Sequence, residues 1–118
     1  MVYRLEKLDV WQLARDFTKV IYKITNTFPK DEIYGLTSQT RRASVSIVLN
    51  IAEGSERKSD VEFIRFLRIA YSSLQEVIAA SYIAYDQEYI NEQTLDFLHK
   101  KSNIVGWKLN ALIKSLKK

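Results

Sequence analysis

Apolar residues recur three and four positions apart along most of this chain, and that period is the strongest constraint on its fold. In the first segment Val10, Leu13, Phe17, Val20 and Ile24 follow this spacing, which places them on one face of an α-helix. Only three glycines and one proline occur in 118 residues, so few positions favour the turns that a β protein requires. The sequence therefore predicts an all-α fold.

Two interruptions define the first two predicted helices. The first helix runs from Asp9 to about Thr27, because Pro29 disfavours helical geometry at the residue before it. The second begins between Glu32 and Ser38 and continues to about Arg57. Its end is marked by Gly54-Ser55, since glycine commonly follows the last turn of a helix.

Capping residues define the other two helices. Ser59 and Glu62 have the spacing of a capping box, and the helix that they open continues to about Glu88. Asn91 is a favourable N-cap for a fourth helix that ends near Leu116. Because short connections between long helices favour antiparallel neighbours, we predict a single domain over residues 1–118, an antiparallel up-down-up-down four-helix bundle.

The chain lacks the groups on which most catalytic and metal sites depend. It contains no cysteine and only one histidine, His99, so one chain cannot supply a thiolate zinc site or a pair of histidine ligands. No phosphate-binding loop, dinucleotide glycine pattern or nucleophile elbow is present. We therefore expect a protein that is not an enzyme, with no catalytic residue, metal or cofactor.

The start of the chain and its hydropathy bear on localisation. Charged residues occupy positions where a signal peptide needs an apolar run. No apolar stretch approaches the roughly 18 residues of a spanning helix. We expect a cytoplasmic protein with no membrane partner.

The helices carry more apolar surface than one bundle can bury. A bundle helix needs one apolar stripe, yet the fourth helix has a second stripe and the first has aromatic residues on a flank. Single exposed apolar residues are normal on soluble proteins, but an aligned set usually marks an interface. We predict a homo-oligomer whose interface contains Trp11, Tyr22, Phe97, Ile104 and Trp107.

A polar stripe follows one narrow arc of the second helix. Two interpretations stay open: a solvated or internally paired face, in which Glu53 pairs with Arg42 or Arg57, or the lining of a groove or channel. Glu76 on the third helix is a candidate to join the network by pairing with Arg65 or Arg68. The stripe consists of Gln39, Arg42, Ser46, Asn50, Glu53 and Arg57.

Basic residues form two clusters in a chain of net charge +4. Lysines in a last helical turn also stabilise the helix dipole without any ligand, but repeated around an oligomer such clusters attract phosphates. Neither cluster has the spacing of a base-reading motif. The carboxyl-terminal cluster comprises Lys100, Lys101, Lys108, Lys114, Lys117 and Lys118. The cluster that we expect to contact nucleic acid comprises Arg41, Arg42, Arg57, Lys58, Arg65 and Arg68.

Several motifs in the middle of the chain resemble one protein family. They are Phe28-Pro29, Glu32, Tyr34-Gly35-Leu36, Gln39, Arg41-Arg42-Ala43, Val45-Ser46-Ile47, Asn50-Ile51-Ala52-Glu53-Gly54, Phe66-Leu67-Arg68-Ile69-Ala70 and Ser73-Leu74-Gln75-Glu76. With Val10-Trp11-Gln12 near the start, they resemble the bacterial four-helix-bundle family encoded in intervening sequences of 23S ribosomal RNA genes. The resemblance extends over nearly the whole chain.

The resemblance implies a four-helix bundle that assembles into a ring-like pentamer, but it assigns no catalytic residue. A similar bundle is the accessory protein of diversity-generating retroelements, where it binds nucleic acid and a reverse transcriptase. Our leading hypothesis is a non-enzymatic oligomeric scaffold that binds structured RNA. The alternative is an adaptor directed at a protein, such as an accessory subunit of a reverse transcriptase or another nucleic-acid machine.

Overall fold

All regular secondary structure in the described part of the chain is helical. A computed structural model describes residues 3–117. The long helices are α1 (Asp9–Thr25), α2 (Leu36–Ser55), α3 (Asp60–Asp86) and α4 (Glu92–Leu116), and short 3-10 turns occupy Arg4–Lys7 and Lys30–Glu32. The prediction of an all-α chain with four helices is confirmed.

The four helices share one apolar core. Helix α1 packs against α2 and α4, and α3 packs against the same two helices, so the pairs α1 with α3 and α2 with α4 lie across the bundle. Each helix contributes side chains that solvent does not reach, including Phe17, Ile47, Leu67 and Leu109. The result is an elongated body of 44 × 23 × 22 Å. No helix in residues 3–117 combines the length and apolar character needed to cross a bilayer.

Side-chain caps start α3 and α4 where the sequence predicts them. Ser59 Oγ accepts a hydrogen bond from the Glu62 backbone N–H at 3.2 Å, and Asn91 Oδ1 accepts one from the Thr94 N–H at 2.8 Å. Both side chains satisfy amides that have no partner within the helix. The Glu62 carboxylate accepts from Arg65 Nη2 at 3.1 Å. It therefore forms an ion pair on the same helix, in place of the hydrogen bond to the Ser59 N–H that the predicted capping box requires.

Gly54 has a different role from the one that the sequence predicts. Helix α2 ends at Ser55, two residues before the predicted Arg57, and Gly54 is buried inside the helix. A Cβ atom at this position would lie 2.8 Å from Phe66 Cβ and 2.9 Å from Phe63 Cδ1. Gly54 is therefore needed because α2 and α3 come into close contact here, and not as a helix terminator.

Helix α3 ends two residues before the predicted Glu88 because Glu88 adopts a left-handed backbone conformation, with φ of 63°. The Tyr89 N–H donates to the Ala84 carbonyl at 2.9 Å and the Glu88 N–H to the Tyr85 carbonyl at 3.0 Å. This pair of bonds is a Schellman motif, in which glycine is the usual left-handed residue. A glutamate at this position gives no sequence signal for the helix end.

Candidate functional site

Arg41, the first of the residues predicted to contact nucleic acid, is held by contacts within the bundle. Its Nε donates to Thr25 Oγ1 and its Nη2 to Asn26 Oδ1, both at 2.8 Å. The guanidinium also lies 4.6 Å from the centroid of the Tyr22 ring. Arg41 therefore ties the end of α1 to α2, where its charge also opposes the negative end of the α1 dipole.

Arg57 and Arg65 lie on the aromatic ring of Phe66. Their guanidinium carbons are 4.8 and 4.6 Å from the ring centroid. Arg57 pairs with Glu53, and Arg65 pairs with Glu62. The arginine side chains are 40% and 57% exposed in these pairs, so the pairs are weak and both guanidinium groups remain accessible. Lys58 is exposed in the connection between α2 and α3.

Arg68 lines a groove between α3 and α4 that contains three cations. We call it the α3/α4 groove, and its volume is about 700 Å³. No carboxylate is found among the described residues that line it. Because the groove also exposes a hydroxyl and an amide, it suits a polyanion with several oxygen acceptors. Its lining residues are Arg68, Tyr71, Ser72, Asn110, Ile113, Lys114 and Lys117.

The structure divides the carboxyl-terminal lysine cluster. Lys100 Nζ lies 3.1 Å from Asp96 Oδ2, and the Lys101 Nζ lies 5.6 Å from the centroid of the Phe97 ring. Lys108 Nζ donates to Asp9 Oδ2 at 2.8 Å, and this hydrogen bond lowers the pKa of the Asp9 carboxyl. Of the predicted cluster, only Lys114 and Lys117 line the α3/α4 groove, while Lys118 lies outside the described residues.

Four of the six residues in the polar stripe on α2 are paired within the chain. Ser46 Oγ and Ser73 Oγ share a hydrogen bond of 2.8 Å across the α2–α3 contact. Asn50 Nδ2 donates to the Ser46 carbonyl at 2.9 Å and to Ser46 Oγ at 3.0 Å. The predicted pair of Glu53 with Arg57 is also present. For these four residues, the interpretation of an internally paired face is confirmed.

The other two residues of the stripe, Gln39 and Arg42, open onto a pocket. We call it the α2/α3 pocket; its volume is about 380 Å³, and Tyr34, Gly35, Ser38, Gln39, Arg42 and Glu76 line it. Four of the lining residues are polar residues of α2 and α3, namely Ser38, Gln39, Arg42 and Glu76. Their side chains form no hydrogen bond or ion pair with any of residues 3–117. The interpretation of the stripe as the lining of a groove therefore applies to Gln39 and Arg42.

The pocket contains residues that the sequence did not single out. The sequence predicts Glu76 near Arg65 or Arg68, but in the structure it lines the pocket together with Arg42. Tyr34 belongs to one of the family motifs, and it is 95% exposed in the connection that precedes α2. A tyrosine followed by glycine in a loop would have been the sequence signal for an exposed aromatic side chain.

The residues predicted for an oligomer interface lie on two surfaces. On α4, Phe97, Ile104 and Trp107 are 45%, 39% and 68% exposed, and we call these three residues the α4 stripe. On α1, Tyr22 is 41% exposed, whereas Trp11 packs partly against the core. The Trp11 indole N–H is buried and has no hydrogen-bond acceptor among the described residues.

His99 forms the contact that comes nearest to a catalytic arrangement. Its Nε2 lies 3.1 Å from Ser81 Oγ, and the Tyr82 ring contacts the His99 ring at a centroid distance of 4.8 Å and an interplanar angle of 51°. Ser81 Oγ also donates to the Ile78 carbonyl at 2.6 Å, so the hydroxyl proton has an acceptor within α3 as well as a neighbour in His99. Among residues 3–117, no three side chains of His, Cys, Asp or Glu gather as a metal site would require.

Comparison with known proteins identifies the family. The family model described as 23S rRNA-intervening sequence protein matches residues 6–111. A crystal structure of a protein of unknown function from the S23 ribosomal protein family of Bacteroides thetaiotaomicron superposes with a TM-score of 0.82 at 23% identity, over 89% of this chain and 98% of that chain. No curated protein matches the sequence. The chain belongs to the 23S rRNA-intervening sequence protein family.

Proposed function

We propose that this protein is a non-enzymatic, homo-oligomeric scaffold that works in the cytoplasm and binds structured RNA through the phosphate backbone. The observation that carries the proposal is the α3/α4 groove, where Arg68, Lys114 and Lys117 come together. These three cations, in a groove whose described lining residues include no carboxylate, form a local positive field that attracts phosphates. Such contacts position an RNA helix without reading its bases.

The proposed contact surface extends from the groove around one end of the bundle. Arg57 and Lys58 lie where α2 gives way to α3, and Arg65 lies one turn before Arg68 on α3. Four of the six residues predicted to contact nucleic acid are therefore assigned to this end. Arg41 is assigned a structural role because its Nε and Nη2 donate to Thr25 and Asn26 within the bundle.

Assembly is the second part of the proposal. We infer an antiparallel bundle, supported by the bond between Lys108, near the end of α4, and Asp9, at the start of α1. The α4 stripe supports burial against another copy, since exposed aligned apolar residues usually mark an interface. The family resemblance implies a ring-like pentamer, in which every copy would add a basic groove to the same assembly.

The test measures RNA affinity as a function of salt. We expect a structured RNA to bind at low salt and to dissociate steeply towards physiological salt, because phosphate contacts release counterions. Replacing Arg68 or Lys114 with alanine should reduce the slope of log K against log salt by about one each. Lys100→Ala is the matched control, because Lys100 pairs with Asp96 outside the groove. Absence of binding at about 50 mM salt would overturn the proposal.

A second candidate function is favoured by the α4 stripe. Trp107 is 68% exposed, and aromatic residues are enriched where one protein binds another. The protein would then be an adaptor, such as an accessory subunit of a reverse transcriptase or another nucleic-acid machine. Stoichiometric capture of one protein that survives nuclease treatment and is abolished by Trp107→Glu would favour this function over RNA binding.

A further inference from the structure

The α2/α3 pocket differs from the rest of the polar stripe because its charged groups have no hydrogen-bonding or ionic partner among residues 3–117. Arg42 on α2 and Glu76 on α3 line the same cavity with opposite charges, yet they form no ion pair. Farther along the same stripe, Ser46 and Ser73 are paired across the two helices. The pocket therefore holds unused hydrogen-bonding capacity on both of its walls, in a volume of about 380 Å³ that suits one small ligand.

The two charges define what such a ligand must offer. Arg42 has five N–H donors in a fixed fork and requires two adjacent acceptors, whereas the ionised Glu76 only accepts and requires two adjacent donors. Guanine presents both: O6 and N7 are acceptors that arginine binds in a bidentate manner, and N1–H and the N2 amino group are adjacent donors. Adenine places an amino donor beside N7 and offers no such pair to an arginine.

Tyr34 adds a stacking surface beside these charges. Its side chain is 95% exposed, so the faces of its ring are open to a ligand. The loop that carries it is anchored, because the Gly35 N–H donates to the Glu32 carbonyl at 2.9 Å and Glu32 Oε1 accepts from the Leu36 N–H at 2.9 Å. An anchored aromatic ring next to base-reading groups is typical of proteins that bind unpaired nucleotides.

We propose that the α2/α3 pocket binds a guanine nucleotide, present as an unpaired guanine of the bound RNA. Arg42 contacts O6 and N7, Glu76 contacts N1–H and the amino group, and Tyr34 stacks on the base. This inference rests on the proposed RNA-binding function. Glu76 and Arg68 are eight residues apart on α3, which is about 12 Å along a helix, so an RNA held in the α3/α4 groove can place an unpaired base in the pocket.

The first experiment uses free nucleotides. Binding of GMP, AMP, CMP and UMP to the full chain is measured by calorimetry. We expect GMP to bind at least about tenfold more tightly than AMP, since one bidentate base contact discriminates by about that factor. Glu76→Gln should remove this preference because its amide places a donor against the guanine donors. Asp86→Asn is the matched control, a carboxylate on the same helix outside the pocket.

The second experiment uses two RNA hairpins that differ by one loop base, guanine or adenine. We expect the wild-type chain to prefer the guanine loop and Glu76→Gln to bind both loops equally, with its salt dependence unchanged. Equal affinity for GMP and AMP, together with equal affinity for the two loops, would overturn the inference while the RNA-binding function stands. Selective binding of GMP without any RNA binding would instead overturn the proposed function and leave a free guanine nucleotide as the ligand.

Discussion

Tyr89 donates its phenolic hydrogen to Glu32 Oε2 at 2.8 Å, and this bond joins two loops that are 57 positions apart in the sequence. The other carboxylate oxygen of Glu32 accepts from the Leu36 N–H at the start of α2. Phe28 packs against the Tyr89 ring at a centroid distance of 5.5 Å. One glutamate therefore caps a helix and closes this end of the bundle.

The titration of this pair predicts how the Tyr89 bond contributes to stability across pH. The Leu36 N–H and the Tyr89 hydroxyl lower the pKa of Glu32 below 4.5, and the bond to Glu32 raises the pKa of Tyr89 above 10.0. A carboxyl group whose pKa is lowered by folding stabilises the fold at pH values above its pKa in the unfolded chain. This stabilisation is lost as the pH falls through its pKa in the folded chain. For Tyr89 the stabilisation is present below pH 10 and is lost above it.

We therefore expect Tyr89→Phe to lower the free energy of unfolding most between about pH 5 and pH 9. The difference from wild type should shrink below pH 4 and above pH 10. Urea denaturation at a series of pH values measures it, and Tyr85→Phe is the control because Tyr85 lies in the neighbouring turn of α3. A difference that stays constant across this range would contradict the assigned bond.

Glu88→Gly is expected to stabilise the protein by about 1 kcal/mol. Glu88 has a left-handed backbone with φ of 63°, a conformation that costs a residue with a Cβ atom about 1–2 kcal/mol. Glycine avoids this cost but loses more conformational entropy on folding, so the net gain is smaller. Gln87→Gly is the control, since Gln87 has φ of −81° and gains nothing from glycine. Thermal and urea denaturation compare the two variants, and equal shifts in stability would refute the assignment.

Two glycine substitutions should change stability in opposite directions. Gly54→Ala forces a methyl group to within 2.8 Å of Phe66 Cβ, and overpacking of this kind costs about 1–3 kcal/mol. Gly106→Ala places its methyl group 3.4 Å from Leu74 Cδ2, an ordinary contact, and gains up to about 1 kcal/mol of helix propensity. Urea midpoints measure both changes. A stabilised Gly54→Ala variant would show that α2 and α3 are not in tight contact.

Ile104→Lys is expected to reduce self-association without unfolding the chain. Ile104 is 39% exposed within the α4 stripe, so a lysine can extend into solvent in the monomer but would be buried in an interface. Light scattering after size-exclusion chromatography gives the mass of each variant, and Asn103→Lys on the same turn is the control. Wild-type protein that elutes as a monomer at micromolar concentration would defeat the assembly proposal.

Helical period and capping predict most of the secondary structure. The starts of α3 and α4 follow from Ser59 and Asn91, whose side chains cap the helix that directly follows them. The ends are less predictable. Glu88 stops α3 in a conformation that a glutamate seldom adopts, and the close contact at Gly54 depends on Phe63 and Phe66 of another helix.

The sequence also predicts the candidate sites only in part, because it does not show which surface residues pair with one another. The helical wheel places Arg42 and Glu53 on one stripe, but it cannot show that Glu53 finds Arg57 while Arg42 opens onto a pocket. Lys114 and Lys117 are read from the sequence as one cluster with Lys108. The packing of the helices separates them, since Lys114 and Lys117 line the groove beside α3 whereas Lys108 pairs with Asp9 on α1.

The close contact at Gly54 has a mechanical consequence for the pocket on the same pair of helices. Gly54 holds α2 against α3 near one end, and Arg42 lies twelve residues away, about 18 Å along α2. A change of about 5° in the crossing angle at Gly54 would move Arg42 by about 1.5 Å over that length. The width of the pocket therefore depends on the crossing angle of α2 and α3, and we expect a methyl group at Gly54 to change that width from about 18 Å away.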